Sequence, residues 1–296
     1  MPLTFSTVRT RIAASVAVAV FCVPNAFADD PAIQLRERYA ALIQVLEQSP
    51  IQPGLHVESV ESSRAPRGDA YAVIEYPFVV VAAAFTRPQS WCESLILHLN
   101  VQYCRASFNG EDALLSAAVG KKTNQPLDDT HRIKFVYKVA TSNADFMRVE
   151  LAAKEGPLGT GNYLIALELI EIDPQRSFMH IQYSYTQGVL ARVATSAYFA
   201  TRGRDKVGFT RIQDGDDPPR LVRGIRGALE RNTMRYYLAF EAYLAALASP
   251  APLRFERSIQ RWFTDTERFA RQLREVKHAD YITMKRGQYL RQQTEW

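Results

Sequence analysis

The stretch "RLVRGIRGALERNTMRYYLAFEAYLAALA", residues 220–248, predicts a single helix of about 27 residues that ends at "SPAP". At 100° per residue, one face of this helix gathers seven side chains within about 80°: Ile225, Leu229, Asn232, Tyr236, Phe240, Tyr243 and Leu247. Such a stripe indicates that one side of the helix is buried against the rest of the protein. Asn232 and Tyr236 are polar groups in the middle of it and therefore need partners. Those partners are either sheet residues and ordered water in a filled core, or a ligand.

The chain before this helix predicts antiparallel strands. Residues 132–140 alternate, with Ile133, Phe135, Tyr137 and Val139 on one face, and the pattern continues in the segments 145–154, 162–172 and 177–187. The apolar strand faces supply the side chains expected to lie opposite the long helix: Phe135, Tyr137, Tyr163, Leu167, Tyr183 and Tyr185. Together with Asn232, Tyr236 and Phe240 they form a candidate ligand cavity, because tyrosines combine apolar area with a hydroxyl group. An ordinary filled core is the alternative.

The remaining segments complete an alternation of helices and strands. Residues 30–48 predict an amphipathic helix with Ile33, Tyr39, Leu42, Ile43 and Leu46 on its apolar side. A hairpin (55–77) and two short helices separated at Pro88 follow, and further helices are expected over 188–202 and 254–276. Three histidines fall in or beside strands, at positions expected to face solvent and with no acidic partner evident in the sequence: His56, His131 and His180.

This order of elements resembles the START-like, or polyketide-cyclase-like, helix-grip (SRPBCC) superfamily over residues 31–248. The segment "FVVVAAAFTRPQSWCESL", residues 78–95, is similar to the short-helix pair of that superfamily, in which an L-x-D-P-x-x-W phrase follows the first long strands. Arg87 stands here in place of the acidic residue. The resemblance implies an α+β fold in which a curved antiparallel sheet grips a long C-terminal helix and encloses a cavity. Members bind lipids, sterols, polyketides and other hydrophobic molecules, and some are enzymes.

The first 28 residues predict a cleaved secretory signal peptide. Arg9 and Arg11 precede an apolar run over 12–23, and Ala26 and Ala28 occupy the small-residue positions before a cut. The run is too short to span a bilayer. We therefore expect an exported, periplasmic or secreted protein, with a helix-grip domain over 29–250 and a C-terminal helical extension over 251–296.

Two cysteines remain after such cleavage. In an oxidising compartment an even number of cysteines favours a Cys92–Cys104 disulfide. Two free buried thiols, or a metal or catalytic site that includes His98, are the alternatives. His98 lies six residues from Cys92, about 240° round a helix, whereas a metal or thiolate–imidazole pair requires a spacing of three or four. No metal and no cofactor are predicted.

Charge is unevenly distributed along the chain. Residues 29–199 contain 15 basic and 19 acidic side chains, and residues 200–296 contain 19 and 12. A basic C-terminal third favours contact with something anionic, such as phospholipid head groups. The expected contacts are Arg254, Arg257, Arg261, Arg268, Arg271 and Arg274. A merely solvated helix surface is the alternative, and no nucleic-acid motif is present.

The sequence thus predicts an exported protein that binds or carries a hydrophobic or amphipathic, lipid-like small molecule in an internal cavity. Two alternatives stay open. One is an enzyme that uses the same cavity, cyclase-like or hydrolase-like, with tyrosine or histidine as acid or base. The other is an interaction protein that docks through its basic C-terminal helices.

Overall fold

The computed structural model describes Met1 and residues 30–294 except 63, 64, 111, 202 and 214. It contains an eight-stranded antiparallel sheet in the order β1-β2-β8-β7-β6-β5-β4-β3. The strands are β1 (Leu55–Val60), β2 (Arg67–Ile74), β3 (Val101–Asn109), β4 (Asp112–Val119), β5 (His131–Ser142), β6 (Phe146–Glu155), β7 (Thr160–Asp173) and β8 (Arg176–Gln187). A separate two-stranded hairpin consists of β9 (Arg211–Ile212) and β10 (Arg220–Leu221). The predicted signal peptide lies outside the described residues.

The helices up to residue 267 follow the predicted order, and the helix that starts at residue 278 was not predicted as a separate helix. The helices are α1 (Pro31–Glu47), α2 (Phe78–Phe85), α3 (Pro88–Leu95), α4 (Val189–Ala200), α5 (Gly224–Leu247), α6 (Ala251–Glu267), α7 (Ala270–Leu273) and α8 (His278–Thr294). Pro88 is the first residue of α3 and separates it from α2, because proline has no N–H to donate within a helix. None of the helices in the described ranges is long and apolar enough to cross a bilayer.

The inner face of the sheet grips α5. Alternate side chains of β2 and β8 point to this face, among them Ala70, Ala72, Met179 and Ile181, and they share one hydrophobic cluster with α5. Helix α5 contacts β1, β2 and β8 on one side and α3 and α6 on others. This is the predicted α+β helix-grip architecture, and the expected order of elements is confirmed.

Two details of α5 differ from the prediction. The helix begins at Gly224, after the β9–β10 hairpin, and not at residue 220. It is also buried round most of its circumference, since Leu238, Ala239 and Leu244 are as inaccessible as Leu229 and Phe240 on the predicted stripe. The predicted stripe included too small a part of the buried helix surface, because α6 covers the side of α5 that turns away from the sheet.

The outer face of the sheet is covered in part by α1. Leu35, Leu42 and Leu46 of this helix pack on the strand residues Tyr71, Phe146, Ile170 and Phe178. Ile33 and Ile43, expected on the apolar side of α1, are instead 38% and 39% exposed. Val139, the last residue of the alternating β5 pattern, is likewise 37% exposed, and the β5–β6 register shifts between Val139 and Thr141. A bulge of this kind interrupts the alternation of faces.

The C-terminal helices pack on the same core as the sheet. Ile259 and Trp262 of α6 and Tyr281 of α8 are fully buried members of the inner hydrophobic cluster. The helix predicted over 254–276 is interrupted, because α6 ends at Glu267 and α7 starts at Ala270. Between them Phe269 leaves helical geometry, with φ −116° and ψ 41°, and its ring packs edge-on against Phe209.

A disulfide joins Cys92 of α3 to Cys104 of β3, with the two Cα atoms 5.1 Å apart. Cys104 is completely buried and Cys92 nearly so. The bond therefore ties the second short helix to the edge strand of the sheet, and the disulfide alternative for these cysteines is the correct one.

Candidate functional site

A cavity of about 430 Å³ lies between the inner face of the sheet and α5. Its volume falls within the range of small-molecule sites. The walls come from the end of α3 and the turn after it, from β3, β4, β5, β7 and β8, and from the middle of α5. Most of the interior is apolar, with these residues in contact with the empty space: Leu95, Val101, Ala117, Val119, Ile133, Phe135 and Ile165.

The cavity opens at one rim. The segment 120–131 supplies Lys121, Asp129 and His131, and the β6–β7 turn supplies Pro157 and Leu158. Leu158 is 75% exposed and has a positive φ of 57°. Lys121 and Asp129 are both exposed, so this rim brings one positive and one negative charge to the opening.

Five of the nine predicted cavity residues line this space: Phe135, Tyr163, Tyr183, Asn232 and Tyr236. The other four lie elsewhere in the core. Leu167 and Phe240 are fully buried in packed surroundings, and the Tyr137 hydroxyl donates to the backbone oxygen of Phe85 at 3.0 Å. Tyr185 stacks behind Tyr163, with ring centroids 5.5 Å apart. The period-two pattern placed the three strand residues, Tyr137, Leu167 and Tyr185, on the correct face of the sheet, but it does not say which position along a strand borders a void.

The tyrosines of the wall form one aromatic cluster. Tyr183 lies between Tyr185 and Tyr236, with ring centroids 5.7 Å and 5.4 Å away. Burial raises the pKa of Tyr183 and of Tyr236 above the ordinary value, and neighbouring tyrosines raise it further. Their hydroxyl groups therefore stay protonated at neutral pH and are able to donate or accept hydrogen bonds.

His98 is a cavity residue that the sequence did not identify. It is 3% exposed, lines the cavity, and stacks on Tyr236 with ring centroids 5.0 Å apart. Its Nδ1 accepts a hydrogen bond from the backbone N–H of Asn100 at 3.2 Å. Its Nε2 has no hydrogen-bond partner in the part of the chain that the structure describes. No local signal in "ILHLN" marks this role, because Tyr236, on which the ring stacks, and the other strands of the cavity wall are distant in the sequence.

The charge state of His98 follows from its surroundings. Burial lowers the pKa of the imidazole well below its ordinary value, and the nearby cations Arg235, Lys285 and Lys122 lower it further, while a hydrogen-bonding interaction with the Asn232 side chain raises it. His98 is therefore neutral at pH 7. Since Nδ1 accepts from a backbone N–H, the hydrogen-bond pattern assigns the single ring proton to Nε2.

Helix α8 holds the backbone around His98 in place. The ammonium group of Lys285 is fully buried and donates to the backbone oxygens of His98 and Val101 at 2.8 and 3.0 Å, and to Gln288 Oε1 at 2.8 Å. Tyr281, on the same helix, donates to the oxygen of Leu97 at 2.9 Å. Burial lowers the pKa of Lys285 well below its ordinary value, and Arg291 adds to this effect.

A cationic cluster lies next to the same end of the cavity. Lys122, Lys206 and Arg235 all contact one carboxylate, that of Glu275, at 2.5, 2.7 and 3.3 Å. Burial opposes ionisation of Glu275, but Lys122 and the other two cations lower its pKa to about 2. Burial and Arg235 lower the pKa of Lys122 to about 8. Three cations thus share one anion, and the cluster has a net positive charge.

The prediction for His180 is wrong. This residue is 9% exposed and lies on the outer face of the sheet between two carboxylates. Its Nε2 is 2.9 Å from Asp69 Oδ1 and its Nδ1 is 2.7 Å from Glu168 Oε2, while Arg148 contacts Glu168 from the next strand. Because α1 and the Tyr71 ring, 4.4 Å away, cover this part of the outer face, His180 does not reach solvent.

Both nitrogens of His180 are therefore occupied. Burial lowers its pKa, but the hydrogen bonds and charges of Asp69 and Glu168 raise it by more, so that the pKa lies above the ordinary value. The same contacts lower the pKa of Glu168 against the effect of its own burial. A protonated, fully bonded imidazole has a structural part in this sheet and has no lone pair for catalysis.

The six arginines expected to contact an anionic surface all lie at the surface of α6, α7 and the segments that follow them. Several are paired within the protein: Arg261 and Arg268 contact Asp265, and Arg274 contacts Glu267. Arg254 donates to the backbone oxygen of Ser249. These contacts reduce the positive charge that the surface presents.

Known proteins offer similarity of fold only. No family model and no curated protein matches the chain. Among solved structures, a protein from Thermus thermophilus is 10% identical, covers 62% of this chain and 100% of its own, and has a TM-score of 0.41. Human StAR-related lipid transfer protein 5 is 11% identical over 57% of this chain and 89% of its own, with a TM-score of 0.31. The Zhui aromatase/cyclase from a Streptomyces species is 9% identical, covers 72% of this chain and 95% of its own, and has a TM-score of 0.31.

Similarity at this level transfers no activity to this chain. Among the described residues, no group of three or more His, Cys, Asp or Glu side chains is arranged to hold a metal ion.

Proposed function

We propose that this protein binds a hydrophobic or amphipathic small molecule in the cavity between the sheet and α5. One observation supports this most directly: a space of about 430 Å³ with a mostly apolar interior, a few polar groups in its wall and an opening to solvent. A lipid-like molecule would bury its apolar part against Leu95, Ile133, Phe135 and Ile165. Removing that surface from water contributes about 25 cal/mol per Å².

A carrier is a simpler function for this cavity than an enzyme, because the lone pair of His98 Nδ1 is occupied by the backbone N–H of Asn100, which leaves this imidazole no free nitrogen to act as a base. We propose further that the protein is exported before it binds its ligand. The disulfide supports this, because such bonds persist in oxidising compartments. Weak contact between the six exposed arginines and an anionic membrane stays a prediction.

Uptake of a fluorescent hydrophobic probe by the wild-type protein and by Tyr236→Trp tests the binding proposal. Tyr236 lines the cavity, so a larger ring there should fill part of the space and weaken probe binding while the fold stays intact. Tyr237→Trp is the matched control, because Tyr237 is 4% exposed, packed in the core and outside the cavity wall.

The control should lose roughly 1–3 kcal/mol of stability through overpacking. Its probe affinity per folded molecule should remain close to that of the wild type. A wild-type protein that takes up no probe would contradict the proposed function. Equal loss of affinity in both variants would show that the probe does not occupy this cavity.

A further inference from the structure

The polar end of the cavity contains donors without acceptors. His98 Nε2 is a buried N–H group that lines the cavity and has no acceptor at hydrogen-bond distance in the described ranges, although the Asn232 amide exerts a weaker hydrogen-bonding effect on the ring. A buried donor left unpaired costs free energy comparable to a lost hydrogen bond. Such groups are rare in native proteins and call for an explanation. A ligand atom with a lone pair would satisfy it.

Asn232 supplies a second donor at the same place. Its amide oxygen accepts a long hydrogen bond from Arg235 Nη1 at 3.5 Å. The NH₂ group of the same amide has two hydrogens to donate. Asn232 and His98 both line the cavity, and Tyr236, stacked on His98, adds a protonated hydroxyl. A donor-rich site of this kind is complementary to an oxygen with several lone pairs.

The electrostatic field at this end favours a negative charge. Next to Asn232 and His98 lies the cationic cluster of Lys122, Lys206 and Arg235, which share the single carboxylate of Glu275. Arg235 is 2% exposed and its Nε is also unpartnered among the described residues. Buried charges with low solvent screening act over longer distances than surface charges. The acidic side chain of the cavity wall, Asp129, is at the solvent-exposed rim and is accompanied there by Lys121.

We propose that the ligand is an amphipathic molecule with a carboxylate head group, which accepts hydrogen bonds from His98 Nε2 and the Asn232 amide while its apolar chain fills the cavity. This inference rests on the proposed function, because it specifies the chemical class of the molecule that the cavity takes. A carboxylate accepts up to four hydrogen bonds and donates none, so it matches the donors at this end. An alcohol head group would satisfy fewer of them and would gain little from the nearby cations.

The test compares two probes that differ only at the head group, dodecanoate and dodecan-1-ol, by displacement of a fluorescent hydrophobic probe. We expect the wild-type protein to bind dodecanoate at least tenfold more tightly. His98→Phe retains a ring that stacks on Tyr236 and removes the donor. It should weaken dodecanoate binding by about tenfold to a hundredfold, as for loss of a hydrogen bond to a charged group, and should change dodecanol binding much less.

His56→Phe is the matched control, since His56 lies on the outer face of the sheet, is absent from the cavity wall and is not a fully buried donor. It should leave the preference for dodecanoate unchanged. Asn232→Asp provides an independent variant if His98→Phe does not fold. The new carboxylate at this position should repel dodecanoate and abolish the preference, while dodecanol still binds.

The possible failures are distinguishable. Equal binding of dodecanoate and dodecanol, or an unchanged preference in both His98→Phe and Asn232→Asp, would overturn the carboxylate assignment and leave the cavity as a general hydrophobic site. Binding of neither probe by the wild-type protein would overturn the proposed function and this inference together.

Discussion

A buried histidine lies at each face of the sheet. The two differ in whether the protein supplies hydrogen-bond partners for both ring nitrogens. His180, on the outer face, has a carboxylate on each nitrogen. His98, at the inner face, has one unpartnered nitrogen among the described residues, a cavity in front of it and cations nearby. Burial alone therefore does not identify a functional histidine. The useful difference is whether the protein itself provides the partners.

The two regions are also stabilised by different kinds of interaction. The outer face is held by ion pairs that cross the strands, from Asp69 through His180 and Glu168 to Arg148. The frame of the cavity is held by a covalent bond between α3 and β3 and by the buried Lys285 of α8. The stability of ion pairs depends on pH and that of a disulfide on redox conditions, so the two regions should lose stability under different conditions.

The largest effect should come from His180→Leu. The substitution removes the cation between Asp69 and Glu168 and leaves two buried carboxylates facing an apolar side chain, each with one arginine partner, Arg67 or Arg148, at a cost of about 3–5 kcal/mol. Urea unfolding at pH 7 measures the loss. His56→Leu, in a partly exposed pair with Glu58 on the same face, is the control and should cost about 1 kcal/mol or less. A His180→Leu loss no greater than that of the control would contradict the structural part assigned to His180.

A smaller loss should follow from opening the disulfide. The bond closes a loop with a sequence separation of 12 residues, and in the chain-entropy model it contributes about 3 kcal/mol. The double variant Cys92→Ser/Cys104→Ser should therefore unfold at lower urea concentration than the wild type, and the difference should be nearly the same at pH 5 and pH 8. Labelling of unreduced, denatured protein should find neither Cys92 nor Cys104 free. Two reactive thiols at these positions would show that the bond is absent in solution.

The smallest effect is a difference in pH dependence between the two histidines. The folded-state pKa of His98 is depressed, so the unfolded chain takes up a proton below pH about 6.5 while the folded protein does not. Stability is then lost as the pH falls below that value, by about 1 kcal/mol over the first pH unit. His98→Gln should remove this acid-side loss.

His180 should show the reverse sign. Its folded-state pKa is raised, so its stabilising contribution is complete below the unfolded pKa and is lost as the pH rises through the folded value. Unfolding curves of the wild type, His98→Gln and His180→Gln from pH 5 to pH 8 check both signs. If the two variants change the pH profile in the same direction, the comparison between the faces is wrong.

Much of the architecture was predictable because the strand and helix patterns are local. The alternation in β5 to β8 and the break at Pro88 depend on neighbouring residues, and both are found in the structure. The disulfide could also be predicted, from the number of cysteines and the expected compartment.

The surroundings of each face of the sheet were harder to predict from the sequence. The period-two pattern of β8 placed His180 opposite Met179 and Ile181, but it could not show that α1 covers the face on which His180 lies. For the same reason one stripe could not represent α5, which is enclosed from several directions. The residues that define the polar end of the cavity, His98, Lys285 and Arg235, come from three distant segments and meet only in the folded chain.

The position of Lys285 in α8, which follows all strands of the sheet and α5 in the sequence, has a consequence for folding. Synthesis proceeds from the N-terminus, and domains generally fold as their segments become available. The sheet, the disulfide partners and α5 are all complete in the chain before α8 appears. Until then the backbone oxygens of His98 and Val101 lack the ammonium group that binds them. The polar end of the cavity therefore reaches its final geometry only when α8 has packed on the core.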